Sequence, residues 1–192
     1  MRCFGSGDPL MLRYHDEEWG CPVTDERGMY ERLCLEAFQA GLSWRTVLYK
    51  REALRVAFAD FDPGRVAGYG EREIQRLMRD ARIIRNRAKI EAVIGNAQAL
   101  ARLIATGGSL VEVVWSFAPA HVPAPLSVAD WPAKTPESEA LAVTLRRLGF
   151  HFVGPTTAYA TMQAAGVVND HLRGCPLRAS IELARRRFRA EC

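Results

Sequence analysis

"RRLGFHFVGPTTAYATMQAAG", residues 146–166, decides the fold. Two stretches of helical spacing flank a short turn punctuated by Gly149 and by Gly154-Pro155. Proline fits the first turn of a helix, where its missing N–H has no partner to lose. The stretch therefore reads as a helix, a tight glycine-bearing hairpin and a second helix. The backbone N–H groups of Gly154 and Thr156, around Pro155, face outward in that arrangement and suit an anion. One phosphate of a nucleic-acid backbone fits there without any reading of base sequence. An ordinary corner between two helices has the same sequence, so the hairpin alone leaves both readings open. Arg146 and Arg147, one turn earlier, favour the nucleic acid.

The rest of the chain agrees with an all-α fold. Thr24 is placed to cap a helix with apolar residues at Met29, Tyr30, Leu33, Ala37 and Ala40, ended by Gly41. Ser43 caps the next, which Asp62-Pro63 stops. A long helix through Ile90, Val93, Ile94, Ala97 and Leu100 stops at Gly107-Gly108, and Ser109 with Glu112 forms a capping box before "LVEVVWSF". A proline-rich connector, residues 119–136, reads as the only long loop, Thr135-Pro136 opens the helix before the hairpin, and "IELARRRFR" closes the chain. No run alternates as a strand should.

With 192 residues, 48% of them hydrophobic, the chain reads as a single compact domain over 1–192, its basic tail from about 176 to 192 peripheral. No apolar run reaches the ~18 residues of a membrane span and no signal-like stretch opens the chain, so the expectation is a cytosolic protein. Five scattered cysteines suit free thiols or metal ligands better than a disulfide frame. The net charge is +4, and of the 26 basic residues only Lys50, Lys89 and Lys134 are lysines. An arginine-dominated surface suits a polyanionic partner as well as it suits plain solvation.

Glu36 stands out by position. At roughly 100° per residue it projects about 20° from Met29 and about 60° from Leu33, inside the apolar arc of its helix. A carboxylate there is paired, protonated, facing a cavity, or reaching solvent from the arc's edge. Trp44 follows shortly after in "QAGLSW", and Tyr14 and Trp19 lie upstream in "MLRYHDEEWG". A buried carboxylate beside aromatic faces suits a flat, cationic ring; aromatics at such spacing also serve as plain core.

His171 and Cys175, four positions apart in "HLRGC", have the spacing of two ligands on one helical turn. Cys3 and His15 complete a Cys2His2 set of the tetrahedral zinc type, closed and therefore structural. The other reading is four unrelated residues.

These stretches together resemble the bacterial 3-methyladenine DNA glycosylase I family to about residue 175. The matching segments are "DPLMLRYHDEEWG", "LCLEAFQAGLSWRTVLYKRE", "FDPGRVA", "DARIIRNRAKIEAVIGNA", "VEVVWSF", "LGFHFVGPTTAYATMQAAGVVNDH" and "HLRGC". The resemblance implies an all-helical member of the helix–hairpin–helix glycosylase superfamily that flips alkylated bases out of double-stranded DNA and hydrolyses the N-glycosidic bond of 3-methyladenine. It implies a structural zinc on Cys3, His15, His171 and Cys175, joining the two ends of the chain, and no organic cofactor. Glu36, Tyr14 and Trp44 match base-pocket positions, and Glu36 is the catalytic candidate, either binding the base alone or also steering the attacking water. Gln39, Gly41 and Leu42 match a plug into the duplex, and Gly154, Pro155 and Thr156 the DNA-anchoring hairpin. The family usually carries a tryptophan shortly after its first cysteine; "RCFGSGDP" offers Phe4. Trp19 is the remaining aromatic candidate.

A base methylated at N3 is cationic, which weakens its bond to the sugar. Trp44, Tyr14 and Glu36 would select that cation, and Leu42 would fill the vacated stack. No lysine lies between 135 and 192, so the expectation is a monofunctional hydrolase that does not cut the strand, acting as a monomer. Two rivals remain: a non-catalytic zinc-stapled module that binds damaged DNA, and a helical interaction protein whose arginines are plain surface.

Overall fold

The computed structural model describes residues 1–191; Cys192, counted above among the thiols, lies outside them. The described residues form helices and no strand. In chain order the α-helices are α1 (Pro9–Glu17), α2 (Glu26–Gln39), α3 (Trp44–Ala57), α4 (Pro63–Val66), α5 (Glu71–Arg79), α6 (Arg87–Ala105), α7 (Leu110–Trp115), α8 (Pro136–Arg147), α9 (Pro155–Ala164) and α10 (Arg178–Glu191), with short 3-10 turns at Ala59–Phe61 and Val128–Asp130. None is long and apolar enough to cross a membrane.

The molecule is built around α2, which packs against α3, α6, α7 and α9. Every residue from Leu33 to Phe38 is buried. A helix enclosed on all sides has no solvent edge, so Glu36 is held inside by its neighbours rather than by the direction in which it projects. A second, smaller cluster of Cys3, Tyr14, Trp19, Leu48, Ala164, Leu172 and Cys175 brings the two ends of the chain together.

Several sequence expectations need correction. The cap of α2 is Asp25, whose side chain accepts from Gly28 N–H, not Thr24. Ser109 Oγ accepts from Glu112 N–H, but Glu112 does not close a box; Glu26 of α2 instead accepts from Ser109 Oγ and from the Leu110 and Val111 N–H groups. A carboxylate from a packed helix thus supplies what a local box would have supplied. The connector is not the only long loop, because residues 165–177 are also irregular and carry His171 and Cys175 off any helix. The C-terminal segment is docked rather than peripheral: Arg185 is 4% exposed and donates to the Gly166 and Val167 carbonyls, both at 2.6 Å.

The hairpin joins α8 to α9, which pack on each other. It contains no strand pairing, and turns through left-handed φ values of 90° at Gly149 and 57° at Phe152. Ser43 and Thr135 cap α3 and α8 as read from sequence.

Candidate functional site

Between α1, α2, α3 and α9 lies a cavity of about 300 Å³, lined by Phe4, Met11, Tyr14, Trp19, Glu36, Gln39, Trp44, Trp131, Ala160 and Gln163. Its volume suits one flat aromatic ring. Tyr14 and Trp44 stand against each other with ring centroids 5.0 Å apart, and Phe4 meets Trp19 edge-on at 5.0 Å. The four aromatic residues read from sequence and Glu36 therefore share one cavity.

The polar groups of this cavity are left incomplete. No donor among the described residues reaches the Glu36 carboxylate, and burial pushes its pKa up to about 8, partly opposed by the Arg32 guanidinium. The Trp44 indole Nε1 is buried without a partner. Burial likewise raises the Tyr14 phenol above its usual range. Leaving a buried donor or acceptor unpaired costs ~1–3 kcal/mol, more for a charge. Such an arrangement suits a ligand that brings a donor edge and positive charge.

The segment after α2 forms the rim. Gln39 lines the cavity, Gly41 adopts φ 77° in open space, and Leu42 is 41% exposed at the tip. Lys89 of α6 holds this rim from below, its Nζ donating to the Phe38 carbonyl at 2.9 Å and the Ala40 carbonyl at 2.5 Å. These are carbonyls at the end of a helix, where a cation fits. Burial lowers the Lys89 ammonium pKa. On α9, no side chain caps the first turn at Gly154, Pro155 and Thr156.

Behind Trp19 lies the Cys/His cluster. Ligand atoms of Cys3, His15, His171 and Cys175 lie within 4.8 Å of one another, and all four residues are buried. Cys3 Sγ is 3.6 Å from His171 Nδ1; Cys175 Sγ is 3.4 Å from the same nitrogen and 3.6 Å from His15 Nε2. Zinc bonds of roughly 2.3 Å to sulfur and 2.0 Å to nitrogen, at tetrahedral angles, put such atoms about 3.5 Å apart. His15 Nδ1 faces Asp16 Oδ1 at 2.8 Å and His171 Nε2 faces the Trp19 carbonyl at 3.0 Å, which aims the other ring nitrogens inward. Burial pushes the Cys3 thiol up to about 12 and the His171 imidazole down to about 4. The donor set fits a closed tetrahedral cation site.

Six residues of the site carry no signal in the sequence: Met11, Trp131, Ala160 and Gln163 in the wall, Arg32 beside Glu36, and Lys89 under the rim. Asp170 accepts from Tyr159 Oη at 2.6 Å and Gln163 Nε2 at 2.7 Å, so its carboxylate is engaged within the fold.

A sequence model of methyladenine glycosylases matches residues 4–179. The chain is 48% identical over 172 residues to DNA-3-methyladenine glycosylase 1 of Escherichia coli (strain K12), covering 88% of this chain and 92% of that one. It is similar to the crystal structure of a 3-methyladenine DNA glycosylase I with a TM-score of 0.89 at 47% identity, covering 92% of this chain and 98% of that one. A tyrosine-to-phenylalanine variant of a 3-methyladenine DNA glycosylase I, crystallised with 3-methyladenine, is similar with a TM-score of 0.86 at 35% identity, covering 92% and 96%.

Proposed function

The chain belongs to the methyladenine glycosylase family, and on that premise we propose how its cavity works. The protein is a base-excision DNA repair glycosylase that hydrolyses the N-glycosidic bond of 3-methyladenine in alkylated DNA. The observation that carries the reading is the unpaired carboxylate of Glu36 in a cavity walled by Tyr14, Trp19, Trp44 and Phe4.

In the proposed mechanism the helix–hairpin–helix element, α8 to α9, anchors one phosphate at the uncapped N–H groups of Gly154 and Thr156, around Pro155. Gln39, Gly41 and Leu42 enter the duplex, Leu42 filling the gap the extruded base leaves. The cationic base slides between Trp44 and Tyr14, where the π faces and the Glu36 carboxylate balance its charge. Water attacks the sugar carbon as the carbon–nitrogen bond breaks. The electron pair of that bond neutralises the base, and the water gives up a proton. The neutral product no longer attracts Glu36 as the cation did, which favours its release. A normal adenine brings no charge to set against the buried carboxylate.

Zinc on Cys3, His15, His171 and Cys175 would be structural, joining the chain ends and fixing Trp19 through the His171 bond to its carbonyl. The activity is proposed to be monofunctional. All three lysines are engaged: Lys89 under the rim, Lys50 on the Arg82 carbonyl at 2.8 Å, and Lys134 on Glu139 at 2.5 Å. One cavity serves one lesion, so the working unit is proposed to be a monomeric glycosylase domain acting in the cytoplasm.

The test is chromatography of bases freed from dimethyl-sulfate-treated duplex DNA, with strand integrity followed on the same samples. Release of 3-methyladenine without nicking supports the whole reading. Nicking that accompanies release would refute the monofunctional part. Tight binding to alkylated DNA with no base released would favour the non-catalytic module.

A further inference from the structure

Trp131 enters the cavity from the proline-rich connector, a segment otherwise exposed from Leu126 to Asp130. Its ring is half-buried, 5.3 Å from Trp19 and 6.4 Å from Phe4, centroid to centroid. The N-terminal segment offers this side of the cavity Phe4 alone, set edge-on to both tryptophans.

The connector is held where Trp131 needs it. Asp130 accepts from the Leu126 and Ser127 N–H groups at 2.8 and 2.9 Å, closing the turn before it. The Trp131 indole donates to the Asp170 carbonyl at 2.9 Å, and the Arg173 N–H donates to the Pro125 carbonyl at 2.8 Å. The same Asp170 holds Gln163 through its carboxylate, so two cavity residues share one anchor. An indole already satisfied by a carbonyl points its polar edge away and leaves its faces for packing.

We propose that Trp131 is a specificity-determining wall of the base cavity, contacting the extruded base on the side where Phe4 alone is too small to confine it. This rests on the glycosylase reading above. The other role for such a residue is a clasp that fastens the connector and touches no base. The two roles differ in what a ring without the indole N–H would do. A clasp depends on the bond to Asp170; a wall depends on an aromatic face.

The experiment compares wild type, Trp131→Ala and Trp131→Phe for thermal stability, for the dissociation constant of free 3-methyladenine, and for release of that base from alkylated duplex. The wall predicts roughly 5- to 100-fold weaker base binding in Trp131→Ala, the range of one lost stacking contact, largely restored in Trp131→Phe. Installing Phe4→Trp in the Trp131→Ala protein should also recover part of the affinity. Unchanged base affinity and release in a folded Trp131→Ala, beside an active wild type, overturns the proposal and leaves the glycosylase reading standing. A Trp131→Phe protein as impaired as Trp131→Ala would show a clasp instead. A wild type that binds and releases no base overturns both.

Discussion

The Cys/His cluster and the aromatic cavity meet at Trp19, and they treat buried polar groups in opposite ways. In the cluster each imidazole has a partner on its outer nitrogen, Asp16 for His15 and the Trp19 carbonyl for His171, and four inward ligand atoms converge. In the cavity, Glu36 and the Trp44 indole are buried with no partner among the described residues. A complete polar set builds architecture, whereas an incomplete one stores a cost that a ligand can relieve. Trp19 belongs to both, its carbonyl facing His171 Nε2 and its ring lining the cavity while packing 4.7 Å from the His171 ring, so the Cys/His cluster and the cavity share one residue.

If this contrast is right, disturbing the cluster costs the fold and disturbing the cavity costs the reaction. The largest stability effect should follow Cys175→Ala or treatment with a strong chelator, which would strip the proposed zinc. Binding of a structural cation is coupled directly to folding, so a loss on the order of 5 kcal/mol or more is expected. Thermal unfolding with and without a strong chelator checks this; a transition that does not move would mean the four residues hold no metal.

A smaller loss is expected for Lys89→Met, which leaves the Phe38 and Ala40 carbonyls without their cation. Two charge-assisted bonds at a partly buried site suggest about 2–3 kcal/mol. The variant should also show a raised KM for alkylated duplex, since the rim carrying Gln39 and Leu42 loses its support. A KM equal to wild type would separate the rim from DNA binding.

The third prediction has the opposite sign. The Glu36 carboxyl has a pKa of about 8 in the folded protein, above the 4.5 of its ordinary state. Between those values the folded state binds the extra proton, so stability falls as pH rises, by at most about 1.4 kcal/mol per pH unit. Glu36→Gln has no proton to lose there and should be the more stable protein at pH 8, with little difference below pH 5. Unfolding midpoints of both proteins from pH 5 to 9 give the comparison. Parallel curves would show that the Glu36 carboxyl does not titrate in this way.

The cavity was partly legible in the sequence because Glu36 interrupts an apolar run, and an ionisable residue there needs an explanation. Helical spacing gave the right suspicion for an incomplete reason, since residues 33–38 are buried on every side of α2. Caps with a local mechanism, such as Ser43 before α3, were readable, because the bond spans three residues. Asp25 in place of Thr24, and Glu26 serving α7, depend on which helix packs nearby, and spacing carries no trace of that. Trp131 was invisible for the same reason. A tryptophan in a loop has no period, and its partner Asp170 lies 39 positions away. Lys89 reads as an ordinary first-turn residue until the end of α2 is placed above it.

That Glu36 faces the damaged base is tested most directly by release of 3-methyladenine from duplex DNA by wild type and Glu36→Gln, from pH 6 to 9. The ionised carboxylate is the form that pairs with the cation, so wild-type kcat/KM should rise with pH toward a limb near 8. Glu36→Gln should lose on the order of 100-fold in kcat/KM, as removal of one preorganised electrostatic group does, and lose that limb. A Glu36→Gln protein with wild-type rate and an unchanged pH profile would contradict the account.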